Sequence, residues 1–302
     1  MTLDDKEVAV KVQYPGIADS IDSDFSNLMM VLPILRLPES FYVDESVTTL
    51  KKELHQECDY HREADCTTKM RGFFEEDIVF DVPNVETSVS SKRILATHLI
   101  RGGLTIDECA KLPQETRNFI TRHMIRLAFY QLFTLRFMQT DPNFANYFWD
   151  DANKKIWLID FGATQEYSKE FMDVYIEIID GAVRNDRNRV LEKSRECGFL
   201  TGFEGKEMEH AHVDSVMLIG EFIRAEGDYD FTQQRTTQII AEDHGPKMAM
   251  NRLKAPPKET YSINRALAGV FIMATKLEAS VHSLDLWNEC YDEYKSRIGE
   301  TE

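Results

Sequence analysis

Apolar positions along this chain follow two different periods, and the change between them organises the reading. From Glu7 to Gln13 the spacing is that of a strand, with Lys11 inside the apolar run Val8-Ala9-Val10-Lys11-Val12. Ile17 to Val31 and Val47 to Phe74 carry apolar residues at helical spacing. Arg93 to Ile100 reads as a second strand, closed by Gly102-Gly103, a pair that could equally be a plain turn. Thr116 to Gln139 predicts a strongly apolar helix, and a short strand-like run ends at Trp157-Leu158-Ile159. From Lys169 the pattern is helical almost throughout, starting with a helix to Arg184. Pro256-Pro257 marks a break before a last pair, Ser262 to His282 and Leu284 to Ile298. No internal repeat or low-complexity segment interrupts this α+β pattern.

Composition narrows the classes. At 302 residues with 43% hydrophobic positions, the chain can bury a substantial core, and its length allows one or two domains. A formal net charge of −17, with no Lys/Arg run, argues against nucleic acid as a partner, because phosphate neutralisation needs a clustered basic surface. The same charge weakens a purely electrostatic hold on anionic lipid. The five cysteines (Cys58, Cys66, Cys109, Cys197, Cys290) are an odd number, widely spread, and read as reduced thiols. His55 with His61, and His210 with His212, lack the spacing of a zinc site. No stretch approaches the ~18 apolar residues that span a bilayer. Leu28 to Leu37, interrupted by Pro33 and Arg36, reads as a buried or interfacial helix and is the place for peripheral membrane contact. The first residues include Asp4, Asp5 and Glu7 and do not read as a transit segment.

The chemistry concentrates between Phe137 and Gly162. Asp141 and Asn146 are five positions apart, and Asp160-Phe161-Gly162 follows the short strand. In phosphoryl transfer the protein supplies a divalent cation held against the triphosphate and a carboxylate beside the attacking oxygen. Asn146 and Asp160 suit the first task, with ATP and Mg²⁺ as the cofactors, since Mg²⁺ takes oxygen ligands and keeps several waters. Asp141 suits the second, although an Asp alone could simply cap a helix. Lys11 is costly to bury unless paired, so an acidic partner is expected among Glu53, Glu57 and Glu63. In a kinase such a strand lysine contacts the α- and β-phosphates and is held by a glutamate. The histidine and arginine usual before the catalytic Asp are replaced by Gln139 and Thr140. After Gly162, Ala163-Thr164 leads directly toward the next helix, with no room for the segment that docks peptide substrates.

The wording FMQTDPNFANYFWD, then LIDFGAT, with VAVKVQYPG and ECDYHREA upstream and FLTGFEG and APPKETYSINR downstream, closely resembles the UbiB family of atypical kinase-like proteins, also called aarF-domain kinases. The resemblance runs nearly from end to end. It implies a protein-kinase-like, two-lobed fold, with a partial small lobe over residues 1–100 and a helical large lobe over 101–302. It implies an ATPase or phosphotransferase supporting ubiquinone biosynthesis, mitochondrial residence, and a lipid quinone precursor and other biosynthetic proteins as partners. It selects Glu57, the Glu of ECDY, as the partner of Lys11, and places Glu63 near the nucleotide. It also puts adenine contacts at His98 to Ile100, where family members commonly carry Glu in place of His98. Only ten residues precede Lys11 and none is glycine, so the family's Lys-x-Gly-Gln extension and alanine-rich loop are expected to be missing from an N-terminally truncated small lobe. The rival expectations are an inactive kinase-like scaffold and a small-molecule phosphotransferase of the aminoglycoside or choline kinase type.

Overall fold

The computed structural model describes residues 7–35, 38 and 42–299, and the chain divides into two compact units. Among the described residues the first comprises 7–35, 47–113 and 139–164, and the second 38, 42–46, 114–138 and 165–299. A single cut near residue 100 is thus corrected: the segment bearing Asp141, Asn146 and Asp160 packs with the N-terminal strands. Its hairpin is hydrogen-bonded into their neighbourhood rather than to the helices on either side of it in sequence.

In the first unit, Val8–Val12 pairs antiparallel with Ile94–His98, placing Lys11 opposite Leu95. A four-stranded sheet holds Phe80–Asp81, Lys155–Leu158, Tyr147–Asp150 and Leu104–Thr105 in that order. Its centre is the hairpin Tyr147–Asp150 with Lys155–Leu158, whose inward residues Trp149, Ile156 and Leu158 are fully buried. The helical pattern of 47–74 is broken in two, into Val43–Glu57 and Tyr60–Phe73. Asp59 causes the break: its carboxylate accepts from the His61 and Arg62 amides and so caps the second helix. The run Ile17–Val31 buries only Phe25 and continues into a tight turn at Leu32–Leu35. Leu28, Met29, Met30, Val31 and Ile34 are exposed. Residues 36 and 37 of the membrane-contact candidate, like Asp4 and Asp5, lie outside the described residues. Among the described residues no helix is long and apolar enough to cross a membrane. All five cysteines are free thiols.

The second unit is built from Gln114–Phe129, Lys169–Val183, Arg187–Cys197, Lys206–Arg224, Glu259–Lys276 and Leu284–Gly299. The helix expected over 116–139 ends at Phe129, passes through a wider turn at Tyr130–Thr134, and gives way to the strand Phe137–Gln139. Arg136, in the left-handed region at φ 50°, makes the change of direction that a continuous helix cannot. Trp287 is fully buried, with Phe129 and Phe133 edge-on to it at 5.4 and 5.5 Å. Its indole N–H donates to the buried Asp180, whose other oxygen accepts from Arg189, so the buried charge is paired. Helices Lys169–Val183 and Lys206–Arg224 meet at Gly220, where a Cβ would lie 2.7 Å from the Cβ of Ala182 and 2.8 Å from its carbonyl carbon. Gly220→Ala is therefore expected to destabilise the protein by about 2 kcal/mol, read as a lower urea midpoint with an unchanged slope.

Candidate active site

The helix cap at Asp59 decides which acid meets Lys11. With the helix restarted at Tyr60, Glu63 lies in its first turn, only 1% exposed, and accepts from Lys11 Nζ at 2.8 and 2.9 Å through both oxygens. The partner is thus Glu63 rather than Glu57, which ends the preceding helix. Glu57 remains near enough for its charge to act on Glu63. Glu53 is buried in that preceding helix. Lys11 Nζ also donates to Asp160 Oδ2 at 2.9 Å and lies over the Tyr60 ring at 5.2 Å. Gln13 Nε2, two residues along the strand, fixes the carbonyl of Cys58 at 2.7 Å and so anchors the break.

The charge balance of this triad is set by burial. Burial raises the Glu63 carboxyl, Asp160 raises it further, and Lys11 only partly compensates, so Glu63 holds a proton more readily than an ordinary glutamate. For Lys11, burial acts to lower the pKa, but Asp160 and Glu63 outweigh it and the ammonium is held above its ordinary value.

The Asp160 turn is tied down from several sides. The Gly162 amide donates to Asp160 Oδ1 at 3.0 Å. A Cβ at Gly162 would sit 3.2 Å from Glu63 Oε2 and 3.4 Å from Asp160 Oδ1, so the glycine lets the turn approach the ion pair. Arg62 donates to the Gly162 carbonyl at 2.7 Å and to the Thr164 carbonyl, linking the helix that carries Glu63 to the turn that carries Asp160. Phe161 is fully buried beneath it.

Asp141 and Asn146 meet directly. Asn146 Nδ2 donates to Asp141 Oδ2 at 2.8 Å, which leaves the Asn146 amide oxygen as an acceptor. Asp141 Oδ1 accepts from the Asn143 amide at 3.2 Å. The Ile159 amide donates to the Asn146 carbonyl at 3.1 Å, so the hairpin brings the approach to Asp160 alongside Asn146. The two residues standing in place of the usual His-Arg pair do structural work. Gln139 donates to the Asp160 carbonyl at 2.7 Å and accepts from the Asp141 amide at 3.1 Å, bridging the two acids' backbones. Thr140, wholly buried, donates to the Ala163 carbonyl at 2.7 Å. Sequence reading did not assign roles to Arg62, Gln139 or Thr140. The available signal was an amide and a hydroxyl in an otherwise apolar stretch just before Asp141, which need partners once buried.

The segment expected to meet adenine is partly engaged. The His98 amide donates to the Asn84 carbonyl at 2.8 Å, and its ring Nε2 lies 3.9 Å from the Glu86 carboxylate. The His98 amide is thus taken by the chain itself, which leaves the carbonyl side of this segment for any ligand contact. Ile100 lies just beyond the strand and, with His98 and Leu99, borders a cavity of about 230 Å³.

The donors fit a magnesium-bound nucleotide. Asn146 and Asp160 offer hard oxygen atoms on adjacent turns. Among the described residues no three His, Cys, Asp or Glu side chains converge as a metal cage, so phosphate oxygens and water would complete such a shell.

Comparison with known proteins places the chain. The model of the ABC1 atypical kinase-like domain matches residues 1–194. The zebrafish (Danio rerio) protein named atypical kinase COQ8B, mitochondrial, is 44% identical, over 96% of this chain and 46% of its own length. The Caenorhabditis elegans atypical kinase coq-8 is 42% identical, over 96% of this chain and 39% of its own. The Saccharomyces cerevisiae atypical kinase COQ8 is 38% identical, over 95% and 57%. The chain thus spans about half the length of the curated relatives it matches. A Mycobacterium tuberculosis protein solved in complex with erythromycin shares the fold, with a TM-score of 0.68 at 20% identity over 96% of this chain and 72% of that one. With the family-like wording of these turns now joined to a kinase-like fold and to these relatives, the chain belongs to the ABC1 atypical kinase-like family, the UbiB family of the sequence resemblance.

Proposed function

We propose that this chain carries the catalytic core of an atypical kinase that binds Mg·ATP and acts as an ATPase or phosphotransferase. The observation that supports it most is Lys11, held at once by Glu63 and Asp160 at 2.8 and 2.9 Å beside a bonded Asp141–Asn146 pair. In this reading Lys11, oriented by Glu63, neutralises phosphate charge, with Glu57 a second acid at the edge of the site. Asn146 and Asp160 hold Mg²⁺, and Asp141 orients or deprotonates the nucleophile, whether water or a substrate hydroxyl. A metal held by Asn146 and Asp160 would supply charge stabilisation to the phosphoryl oxygens. Adenine contact falls to the His98 carbonyl and to Ile100. Because Lys11 already occupies Asp160 Oδ2, nucleotide entry requires the ammonium to exchange a carboxylate for a phosphate.

The short path from Gly162 to the helix at Lys169 favours water or a small or lipid-like acceptor over a peptide. The similarity to mitochondrial COQ8 proteins supports a role for this activity in ubiquinone biosynthesis, for which we assign a lipid quinone precursor and biosynthetic proteins as partners. The exposed apolar run Leu28 to Ile34 is suited to peripheral membrane contact.

A thermal-shift titration tests nucleotide binding. Mg·ATP and Mg·ADP are expected to raise the melting point in a saturable way, and ATP without a divalent cation to raise it less. A melting point unmoved by Mg·ATP at millimolar concentration sinks the nucleotide-binding reading for this chain.

A further inference from the structure

The second unit contains a partly open cavity of about 400 Å³ whose walls include none of the residues placed around phosphoryl transfer. It is lined mostly by apolar side chains from three long helices, among them Tyr175, Ile178, Val216, Ile219, Leu267 and Phe271. Such a volume with a few polar groups in an apolar wall is the usual form of a small-molecule site.

Arg252 breaks the apolar character of that wall. It lies just after the short helix Gly245–Asn251, and its Nη1 is buried without a hydrogen-bond partner. Among the described residues it forms no ion pair. Glu204, whose field reaches it, is already held by Thr201 and by the Gly202 amide. Burial holds the guanidinium below its ordinary pKa, the expected response of a cation with no close counter-charge. The other titratable nitrogen group of the wall is His212. Its ring bonds Ser194 at 2.8 Å, and burial first, then Arg252, pushes its pKa down to about 4, so it is neutral at pH 7. Arg252 is therefore the charged group of this cavity, half-buried, with one buried N–H unsatisfied and no ion-pair partner among the described residues. A water molecule could satisfy one N–H, but it would not supply the missing negative charge.

We propose that this cavity binds an amphiphile with one acidic end, a carboxylate or phosphate monoester paired with Arg252. At about 30 Å³ per water-sized group, the apolar body that fills it has roughly a dozen heavy atoms. Planar bidentate pairing with Arg252 gives the head group its recognition, and the apolar walls take the chain.

Calorimetric titration of the whole chain tests this with four probes, each kept below its micelle concentration: dodecanoate, monododecyl phosphate, dodecan-1-ol and acetate. At least one of the two acids is expected to bind at least tenfold more tightly than the alcohol, and acetate not at all. Binding by only one acid identifies its head group and still supports the proposal. Arg252→Met should reduce acid affinity to that of the alcohol while leaving alcohol binding in place. Ala268→Phe, at a lining position, should abolish binding of all long-chain probes while Arg252 is retained. If Arg252→Met does not fold, the Ala268→Phe result decides. The proposal is overturned if neither acid binds, if the alcohol binds as tightly as the acids, or if a folded variant of either kind leaves acid binding unchanged.

Discussion

Asp160→Asn is expected to lower Mg·ATP turnover by on the order of 10²- to 10³-fold, the loss typical when one preorganised charge at a reacting centre is removed. The substitution keeps the shape of the side chain and its bond from the Gly162 amide, but removes the anionic oxygen that now pairs with Lys11 at 2.9 Å. Its effect should appear in both kcat and KM, because the residue is assigned to holding the metal-bound nucleotide before and during reaction. Asp141→Asn separates the roles. That carboxylate is bonded to Asn146 and to the Asn143 amide and is assigned to the nucleophile, so its loss should fall mainly on kcat. The fold should survive Asp160→Asn, since losing one ion pair is offset by relief of the repulsion that raises Glu63. Steady-state kinetics with circular dichroism on both variants checks this. Turnover within twofold of the parent in a folded Asp160→Asn protein would eliminate the catalytic assignment, leaving the inactive scaffold as the better reading.

How much of this was legible in the sequence depends on whether position alone set the answer. The Asp141, Asn146 and Asp160 candidates were readable from their spacing around one short strand-like run, whereas the hairpin Tyr147–Asp150 with Lys155–Leu158 that brings the ends of that segment together appears only in the structure. The strand around Lys11 and its need for an acidic partner followed from five apolar or lysine positions in a row. The choice between Glu57 and Glu63 was not readable from helical spacing. An uninterrupted helix over 47–74 would make both acids part of one rod, and only the capping of Asp59, a tertiary choice anchored by Gln13, restarts the helix and turns Glu63 toward Lys11. The helix expected through Gln139 failed for a related reason. Apolar content predicted burial correctly for Phe137 and Met138, but burial in a short strand and burial in a helix look alike over three residues. Gln139 and Thr140 marked a departure from the usual kinase wording, yet their function as backbone ties between the two acidic turns appears only once those turns are adjacent.

Lys11→Met carries the second large effect, and its pH dependence is the diagnostic part. Removing the ammonium leaves Glu63, 1% exposed, facing Asp160 with no cation between them. A fully buried pair broken in this way costs ~3–5 kcal/mol, and since Lys11 is 42% exposed, solvent screening reduces the expectation to about 2 kcal/mol at pH 7.5. Glu63 already sits above its ordinary carboxylate value, and loss of Lys11 raises it further. In the window between the ordinary carboxylate range, near pH 4.3, and this raised value, the folded state binds more protons than the unfolded state, so stability falls as pH rises. The cost of Lys11→Met should therefore shrink as pH is lowered from 7.5 toward 5, where Glu63 accepts a proton and no longer needs the cation. The contribution of Lys11 itself has the same sign but lies in a separate, alkaline window, present below its unfolded pKa and lost only in strong alkali, and does not confuse the measurement. Urea denaturation of the parent and variant at pH 5, 6 and 7.5 reads the difference directly. Adding Glu63→Gln to Lys11→Met should recover much of the loss at pH 7.5 and remove its pH dependence, since the amide needs no counter-charge. A Lys11→Met cost that is the same at all three pH values, or a double variant no more stable than the single one, would show that Lys11 stabilises this turn through packing on Tyr60 rather than by neutralising Glu63 and Asp160.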